Sequence, residues 1–279
     1  MFGVDVLSDI AFIYRDACIE ELSAVKPGNV HMFADGHGMV VQDFIKSADA
    51  SSQVIATPFL SVGERILNAV KATWDAVGCN TNLGIVLLAA PMMQAAYSKD
   101  GLSQDNLQAV LRNLTVDDAV KAYQAISLAT PAGLGEVQQY DVRQTPQITL
   151  LEAMQAAADR DLIAQQYANG YQEIFNFGVT TYQHYLAKWE QSAWAVTAIY
   201  LAFLAEFEDS HIVRKYGGIV AKEIQQEAKN HFQTFTSQEN PKLYQATLLV
   251  WDADLKKRGI NPGTSADLTV TTILANNLL

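Results

Sequence analysis

Apolar residues recur at steps of three and four positions along most of this chain. In the first segment they include Ile10, Tyr14, Ala17, Leu22 and Val25, which is the spacing of one face of an α-helix. No alternation of apolar and polar residues between hairpin turns interrupts the helical pattern. The sequence therefore predicts an all-α protein, a single multi-helix globular domain over residues 1–279.

Helix starts are marked by a hydroxyl residue followed three positions later by a carboxylate, the pattern of a capping box. The three pairs are Ser61 with Glu64, Thr115 with Asp118, and Thr149 with Glu152. The periodicity predicts further helices at residues 41–55, 83–98, 104–114, 150–169, 172–188, 191–206, 218–235, 242–257 and 266–279. The helix that begins at Leu83 is apolar nearly all round, so we expect it to be a central element of the fold.

The charge balance limits the kinds of partner. Nineteen Lys and Arg residues against thirty Asp and Glu residues give a formal net charge of −11, and 49% of the residues are hydrophobic. The longest basic run is Lys256-Lys257-Arg258, so nucleic acid is not expected as a partner. An anionic substrate would have to meet a few local cations, helix N-termini or a metal ion.

The cytoplasm is the expected location. The first ten residues carry Asp5 and Asp9 and no basic residue, which is the wrong charge for a signal peptide. The longest apolar runs, residues 83–96 and 194–205, are shorter than the ~20 residues that span a bilayer, so no membrane partner is expected. Cys18 and Cys79 alone form no disulfide framework. The sequence leaves a homo-oligomer open.

Two polar segments near the start of the chain are candidate binding loops. In Lys26-Pro27-Gly28 the lysine supplies a cation and the glycine frees a backbone N–H. Asn80 and Thr81 open the most apolar helix, where unpaired N–H groups can receive an anion or a carbonyl. An ordinary turn and an ordinary helix cap explain the same residues.

Two later segments carry more chemistry. Residues 208–218 place two acids, a histidine, two cations and two glycines between apolar helices, and they include Asp209. Residues 261–267 enter the last helix with Gly263 and Ser265, which suit phosphate binding, and Asp267 could hold a metal or take a proton. A plainly capped helix is the alternative for the second of these segments.

Three other features are less specific. Glu152 and the run Asp159-Arg160-Asp161 lie on two faces of a predicted helix. At least one of these faces fits solvent-exposed ion pairs. Residues 131–146 form a long loop rich in Gly, Gln and Pro, either functional or a crossover between helical layers. His184 and His231 are interpreted as surface or packing residues. No Walker A, dinucleotide-binding or nucleophile-elbow motif occurs.

Taken together and in this order, the segments resemble the triphosphoribosyl-dephospho-CoA synthase family over almost the whole chain. The segments are Lys26-Pro27-Gly28, Asp43-Phe44 to Ser47-Ala48, Asn80-Thr81 to Gly84, Gly133-Leu134-Gly135, Asp209 to Arg214 with Gly217-Gly218, and Pro262-Gly263 to Leu268. Val25 and Asn82-Leu83 depart from the residues of the better-studied members, which carry a proline and a His-Lys pair there. The chain therefore looks like a divergent branch, similar to members found beside one-carbon, methanopterin-type cofactor genes.

The resemblance implies an all-helical transferase that uses ATP as a substrate. In that family adenine leaves the ribose C1′, the 2′-hydroxyl of dephospho-CoA replaces it, and the triphosphate stays attached. The product is a prosthetic-group precursor for carrier proteins of citrate or malonate decarboxylating lyases. Partners are accordingly small molecules: ATP, and dephospho-CoA or a related acceptor.

The resemblance also suggests roles for the candidate residues. Departure of adenine needs a carboxylate near the sugar, a proton donor for the base and neutralisation of the triphosphate, for which a divalent metal, Mg²⁺, is expected. We assign Asp209 and Asp267 to catalysis or metal binding. Substrate binding is assigned to Lys26, Gly28, Asn80, Thr81, Arg214, Lys215, Gly263 and Ser265. Two alternatives stay open: an ATP-using enzyme of pterin or one-carbon cofactor synthesis with another acceptor, and a non-catalytic nucleotide-binding helical protein.

Overall fold

The computed structural model describes residues 4–129 and 142–279, with side chains from Ile10 onward. Within these ranges the chain is helical and contains no strand, so the predicted all-α class is confirmed. The α-helices are α1 Val4–Ser23, α2 Val41–Ile55, α3 Val62–Val77, α4 Leu83–Ala96, α5 Gln104–Arg112, α6 Val116–Ala129, α7 Leu150–Gln155, α8 Leu162–Asn169, α9 Thr180–Trp189, α10 Ser192–Glu206, α11 Ser210–Tyr216, α12 Gly218–Thr236, α13 Lys242–Lys257 and α14 Gly263–Leu278. A π-helical turn, Glu173–Val179, leads into α9.

The three predicted capping boxes form. Ser61 Oγ accepts a hydrogen bond from the N–H of Glu64, whose carboxylate accepts one from the N–H of Ser61 in return. Thr149 caps α7 in the same reciprocal way, and Thr115 caps α6 through Asp118. Each hydroxyl thus satisfies a donor that the first turn of its helix leaves open, which is why these helices begin where the pattern predicts.

Helix α4 is central, as its apolar composition predicts, and it packs against α3, α5 and α14. Pro91 lies inside α4 and has no N–H to give to the carbonyl of Leu87 one turn earlier. The hydroxyl of Tyr167 donates to that carbonyl at 2.5 Å, and the hydroxyl of Tyr171 donates to the carbonyl of Leu88 at 3.0 Å. A side chain of α8 therefore replaces the backbone bond that the proline removes.

Two apolar clusters meet at α10. One face of α10, including Val196, Ile199 and Phe203, belongs to the larger cluster around α4. Another face, including Leu201 and Leu204, belongs to a smaller cluster with α12 and α13. Because both faces are covered, α10 has no polar stripe, as expected of a helix that is buried all round. No helix of the described ranges is long and apolar enough to cross a membrane.

The prediction of one helix over residues 150–169 is wrong. The helix ends at Gln155, and α8 starts afresh at Leu162 with Asp161 as its N-cap. The Asp161 carboxylate accepts hydrogen bonds from the N–H groups of Ile163 and Ala164 at 2.9 and 3.2 Å. An aspartate that satisfies two free N–H groups stabilises a new helix start more than it would stabilise a helix interior.

Two further expectations need correction. Residues 208–218, interpreted as an interhelical loop, contain the short helix α11, which Asp209 caps. The helix expected over residues 172–188 begins with the π-helical turn, where Gly178 is pressed so closely that a Cβ would lie 2.4 Å from Thr272 Oγ1. Smaller differences are that α4 ends at Ala96, α5 ends at Arg112, and α14 already starts at Gly263.

Candidate functional site

A cavity of about 620 Å³ lies where the N-termini of α4 and α14 approach α11 and the C-terminal part of α1. Its volume is within the ~300–1,000 Å³ of small-molecule sites. One wall is polar and is formed by these helix ends. The wall formed by α6, α7 and α8 is mostly apolar, with Arg160 and Asp161 in the turn between α7 and α8. The cavity can therefore receive a ligand with one charged and one apolar part.

The segments around Lys26, Asn80, Asp209 and Asp267 converge on this cavity although they are far apart in sequence, whereas the predicted Gly133-Leu134-Gly135 segment lies outside the described residues. Five of the candidate site residues line it, and they are Asn80, Thr81, Arg214, Gly263 and Asp267. The other candidates lie behind the wall or outside it: Lys26, Gly28, Asp209, Lys215 and Ser265. Convergence is what a site requires, whereas unrelated helix caps would be scattered over the surface.

Asp267 is the candidate carboxyl that faces the cavity. No hydrogen bond or ion pair to its side chain is found among the described residues, and Asp267 lines the cavity. Burial raises the pKa of Asp267 well above its ordinary value, and the nearby carboxylates of Asp209 and Glu21 raise it further, while Arg214 opposes them. A cation or a positively charged reaction centre beside Asp267 would oppose this rise and favour the ionised form.

Backbone N–H groups surround Asp267. The carboxyl packs on the first turn of α4, where a Cβ at Gly84 would lie 2.0 Å from Asp267 Oδ2. The N–H groups of Gly84, Ile85 and Thr264, in the first turns of α4 and α14, have no partner among the described residues. Two helix N-termini with free donors create a positive backbone potential suited to phosphate.

Asp209 lies behind this wall and is fully occupied by the protein. Its carboxylate accepts four hydrogen bonds: from the N–H groups of His211 and Ile212 at 2.9 and 3.2 Å, and from the N–H and hydroxyl of Ser265 at 2.7 and 2.9 Å. Burial raises the pKa of Asp209, and the bonds from Ser265 act against that rise. Asp209 therefore joins α11 to the start of α14 and fixes the polar wall.

Lys26 is buried directly behind the cavity with its charge paired. Its ammonium group donates to the carboxylate of Glu21 and, at 3.1 Å, to Asn29 Oδ1, and both of these partners line the cavity. Burial lowers the pKa of Lys26 and raises the pKa of Glu21, and the ion pair between them opposes both shifts. Asn29 in turn donates to Asn261 at 2.8 Å, which connects the α1 end to the turn before α14.

Gly28 shapes the turn and does not reach the cavity. Its backbone is in the left-handed region, φ 84°, and a Cβ there would lie 2.8 Å from the ring of Pro262. Its N–H donates to Asp252 Oδ1 at 2.8 Å, and Asp252 also accepts from Lys256 at 3.0 Å. The Lys-Pro-Gly turn is thus attached both to α13 and to the turn that precedes α14.

Arg214 and Arg160 are the cations that line the cavity within the described ranges. Arg214 Nη1 lies 2.5 Å from Asp161 Oδ2, and its buried Nε has no hydrogen-bond partner among the described residues. A buried donor left open is uncommon in folded proteins, so this N–H is available to a ligand. Lys215 points away to solvent, with its ammonium 5.1 Å from the centre of the Tyr216 ring.

His211 also faces the cavity. The backbone N–H of His211 donates to Asp209 and to Thr264 Oγ1, so the ring is held at the start of α11. Burial lowers the pKa of His211 to about 4, and the cationic Arg214 and Lys215 contribute to the same shift. A Cβ at Gly263 would lie 2.6 Å from the ring Nδ1, so the glycine leaves room for this imidazole. The ring is neutral at physiological pH.

Sequence reasoning noted Arg160, Asp161 and His211 in candidate segments without assigning them to the site, and it missed Glu21, yet all four line the cavity. A signal for Asp161 existed, because an aspartate directly before an apolar run is typical of an N-cap. No sequence signal was available for Glu21, since its role depends on the buried contact with Lys26. His231, interpreted as a packing residue, stacks on Trp251 with ring centres 4.2 Å apart.

Divalent metal was expected at Asp209 and Asp267. Within residues 4–129 and 142–279 no group of three or more His, Cys, Asp or Glu side chains has the arrangement of a protein-only metal site. Mg²⁺ is commonly held by one or two carboxylates together with substrate phosphates and water. The unpartnered carboxyl of Asp267, close to other acidic groups, fits that second kind of binding.

The fold and the cavity define an all-helical protein with an anion-binding polar wall and an adjoining apolar compartment. The chain belongs to the ATP:dephospho-CoA triphosphoribosyl transferase family, whose model matches residues 7–279. It is therefore a transferase, of a family that transfers the triphosphoribosyl group of ATP to dephospho-CoA.

A solved structure with a similar fold is known. It comes from Archaeoglobus fulgidus, is provisionally assigned as a triphosphoribosyl-dephospho-CoA synthase, and has a TM-score of 0.64 and 22% sequence identity. The similarity covers 85% of this chain and 98% of that one. No curated protein sequence matches this chain. At this identity the structural likeness supports the fold alone.

Proposed function

We propose that this protein transfers the triphosphoribosyl group of ATP to the 2′-hydroxyl of dephospho-CoA or a related acceptor and releases adenine. The observation that carries the proposal is the unpartnered carboxyl of Asp267, which faces a nucleotide-sized cavity between two helix N-termini and beside Arg214. This reaction needs hydrogen-bond donors for the negatively charged triphosphate. It also needs a carboxyl group for the positive charge that develops on the ribose.

The triphosphate binds the polar wall in this proposal. The free N–H groups of Gly84, Ile85 and Thr264 and the guanidinium of Arg214 are its donors. Asn80 and Thr81 support this wall, because Asn80 Oδ1 accepts from the N–H of Leu83 at 3.1 Å and Thr81 donates to Ser47 at 2.6 Å. Lys26 contributes positive potential from behind the wall without leaving Glu21.

Asp267 acts at the reacting sugar. As the C1′–N9 bond breaks, positive charge develops on C1′ and the ring oxygen, which a nearby carboxylate stabilises. The acceptor oxygen forms the new bond to C1′ and its proton passes to the Asp267 carboxylate. Adenine leaves with the electron pair of the broken C1′–N9 bond and takes up a proton from water, and Asp267 later returns its proton to water. A carboxyl with a raised pKa is a better proton acceptor at neutral pH than an ordinary aspartate.

A divalent cation fits the same wall. Mg²⁺ would be held by Asp267 together with phosphate oxygens, and when bound it would neutralise part of the triphosphate charge against the −11 net charge of the protein. Asp209 and Ser265 remain positioning residues in this proposal, because their hydrogen bonds to each other are already made inside the protein.

The acceptor is the part of the proposal most open to variation. Leu83 lines the cavity, and Asn82 next to it is buried and donates to Ser51 at 3.3 Å. These are the positions at which the better-studied members of the family carry a His-Lys pair. An apolar residue in place of a cation favours an acceptor with less negative charge, and this supports the alternative of a different acceptor from the same ATP chemistry.

One chromatographic experiment tests the proposal. The purified protein is incubated with ATP, Mg²⁺ and dephospho-CoA, and the nucleobase and nucleotide products are separated. Release of adenine with a triphosphoribosylated acceptor is the expected result. ADP or AMP would mean attack at phosphate, and ATP binding with no product in the presence of dephospho-CoA would favour another acceptor or a non-catalytic protein.

A further inference from the structure

The apolar wall of the cavity is a separate compartment with no assigned ligand. It is formed by α6, α7 and α8, and its side chains include Ile126, Ala153, Met154 and Ile163. Ala153, Met154 and Ile163 are each 8% exposed, so the wall is part of the packed interior and not a surface patch. We call these four residues, together with Ala157 of the same wall, the apolar compartment.

The position of Asp267 connects the two compartments. A Cβ built on Gly84 would contact Asp267 Oδ2 at 2.0 Å and Ile163 Cδ1 at 2.7 Å, so the carboxyl and the first side chain of the apolar compartment lie side by side over the start of α4. A ligand whose reacting atom is at Asp267 must therefore extend into the polar wall on one side and against Ile163 on the other.

We propose that the apolar compartment binds the purine base of the nucleotide substrate. The inference rests on the proposed function. The triphosphate needs the N–H groups and Arg214 of the polar wall, the ribose is then at Asp267, and the flat base is attached to the same C1′. Methionine and branched aliphatic side chains form a pocket of the kind that encloses a flat heteroaromatic ring.

This arrangement also gives the leaving group a place of low polarity. In this arrangement adenine leaves from among aliphatic side chains, and the neighbouring Arg160 and Asp161 lie at the border with the polar wall. Water is displaced from the Ile163 side when the base is bound, which protects the cationic sugar from hydrolysis. Transfer to the acceptor and not to water depends on such protection.

The test fills the compartment and compares two ligands. Ala153→Phe puts a ring into the compartment, and Ala156→Phe is its matched control, because Ala156 is exposed and does not line the cavity. Binding of ATP with Mg²⁺ and of inorganic triphosphate with Mg²⁺ is measured by calorimetry. We expect Ala153→Phe to raise the Kd of ATP at least ~10-fold and to leave the Kd of triphosphate unchanged.

Other outcomes decide against the inference. Unchanged ATP affinity with a raised KM for dephospho-CoA would assign the compartment to the acceptor, and equal loss of both ligands would mean a general distortion of the site. If Ala153→Phe does not fold, Ala157→Phe makes the same test at a half-buried position of the same wall. Binding is measured without turnover, so failure of the base site appears as a changed ATP affinity, whereas failure of the proposed function appears as ATP binding with no adenine released.

Discussion

The carboxyl of Asp267 lies directly on the backbone of Gly84, and no other residue type would leave it there. A Cβ at position 84 would be 2.0 Å from Oδ2 and 2.5 Å from Cγ of Asp267, distances that real Cβ contacts do not show. The first turns of α4 and α14 can therefore meet only because residue 84 has no side chain. The contact sets where the carboxyl lies relative to the free N–H groups.

Gly84→Ala should reduce catalysis more than stability. The added methyl group displaces Asp267, and a misplacement of about 1 Å can lower a rate ~10²-fold. Overpacking costs ~1–3 kcal/mol, which the higher helix propensity of alanine offsets in part. Adenine release and the melting temperature are measured on one preparation. Gly218→Ala is the control, because its nearest atom would be 3.7 Å away, and wild-type turnover in Gly84→Ala would refute the role of the contact.

Asp267→Asn should lower adenine release ~10²-fold or more and leave the melting temperature unchanged or slightly higher. The raised pKa means that ionised Asp267 is unfavourable in the folded protein, so a neutral amide of the same size removes no stabilising charge. Calorimetry of ATP binding with Mg²⁺ and with EDTA then separates the roles. If Mg²⁺ strengthens ATP binding equally in both proteins, Asp267 is not a metal ligand.

Asp209→Asn serves as the contrasting variant in that experiment. Asp209 accepts four hydrogen bonds inside the protein, so its amide replacement leaves N–H donors of α11 or α14 without their acceptor. A clear drop in melting temperature is expected for Asp209→Asn and not for Asp267→Asn. The reverse order would contradict the division into a positioning residue and a catalytic one.

Tyr167→Phe should destabilise the protein by ~1–3 kcal/mol, because it leaves the buried carbonyl of Leu87 without a donor. The comparison is Tyr171→Phe, whose hydroxyl serves the carbonyl of Leu88. Leu88 precedes Met92, which has an N–H, by four residues, whereas Leu87 precedes Pro91, which has none. Urea unfolding should therefore show the larger loss for Tyr167→Phe, and equal losses would mean that Pro91 is not the cause.

Asp118 should contribute a pH-dependent part of the stability. Burial alone would raise the pKa of Asp118, but hydrogen bonds from Gly63 and Thr115 outweigh it, and the pKa is lowered overall. A lowered folded-state pKa means that the contribution is present above the unfolded value, about 3.9, and is lost as the pH falls through the folded value.

Asp118→Asn should accordingly cost ~1.5–3 kcal/mol at pH 7, and the difference from wild type should narrow at pH 3. Unfolding in urea at the two pH values measures both quantities. Asp117→Asn is the control at the neighbouring, exposed position, and little change is expected there. An Asp118→Asn cost that is the same at pH 7 and pH 3 would rule out an ionic contribution.

The parts of the fold that the sequence predicts correctly depend on local rules. The capping pair Ser61 and Glu64 satisfies the helix start by itself, so the start of α3 needs no tertiary information. The break before Asp161 was missed because residues 156–158 are alanines, which continue a helical pattern equally well. Helix α11 has only seven residues, too few for a period to be recognised.

The sequence predicts which segments form the site, but it does not predict which residue of each segment contacts a ligand. Glycine and proline next to polar residues mark Asn80, Arg214 and Asp267 correctly as cavity residues. Asp209 and Asp267 look equivalent in sequence, since each lies beside a helix start. They differ in whether the protein supplies donors to the carboxylate, and that depends on the approach of Ser265, which is 56 residues from Asp209 along the chain.

Helix α10 belongs to both apolar clusters, and this has a consequence for how the molecule opens. Neither face of α10 can reach water while the other stays packed, so its amide hydrogens should exchange with deuterium only through unfolding of the whole chain. Helix α11 follows it directly but is short and partly exposed, so its amide hydrogens should exchange faster than those of α10. Hydrogen exchange in α10 should therefore report unfolding of the entire protein, and hydrogen exchange in α11 should report opening of the cavity wall.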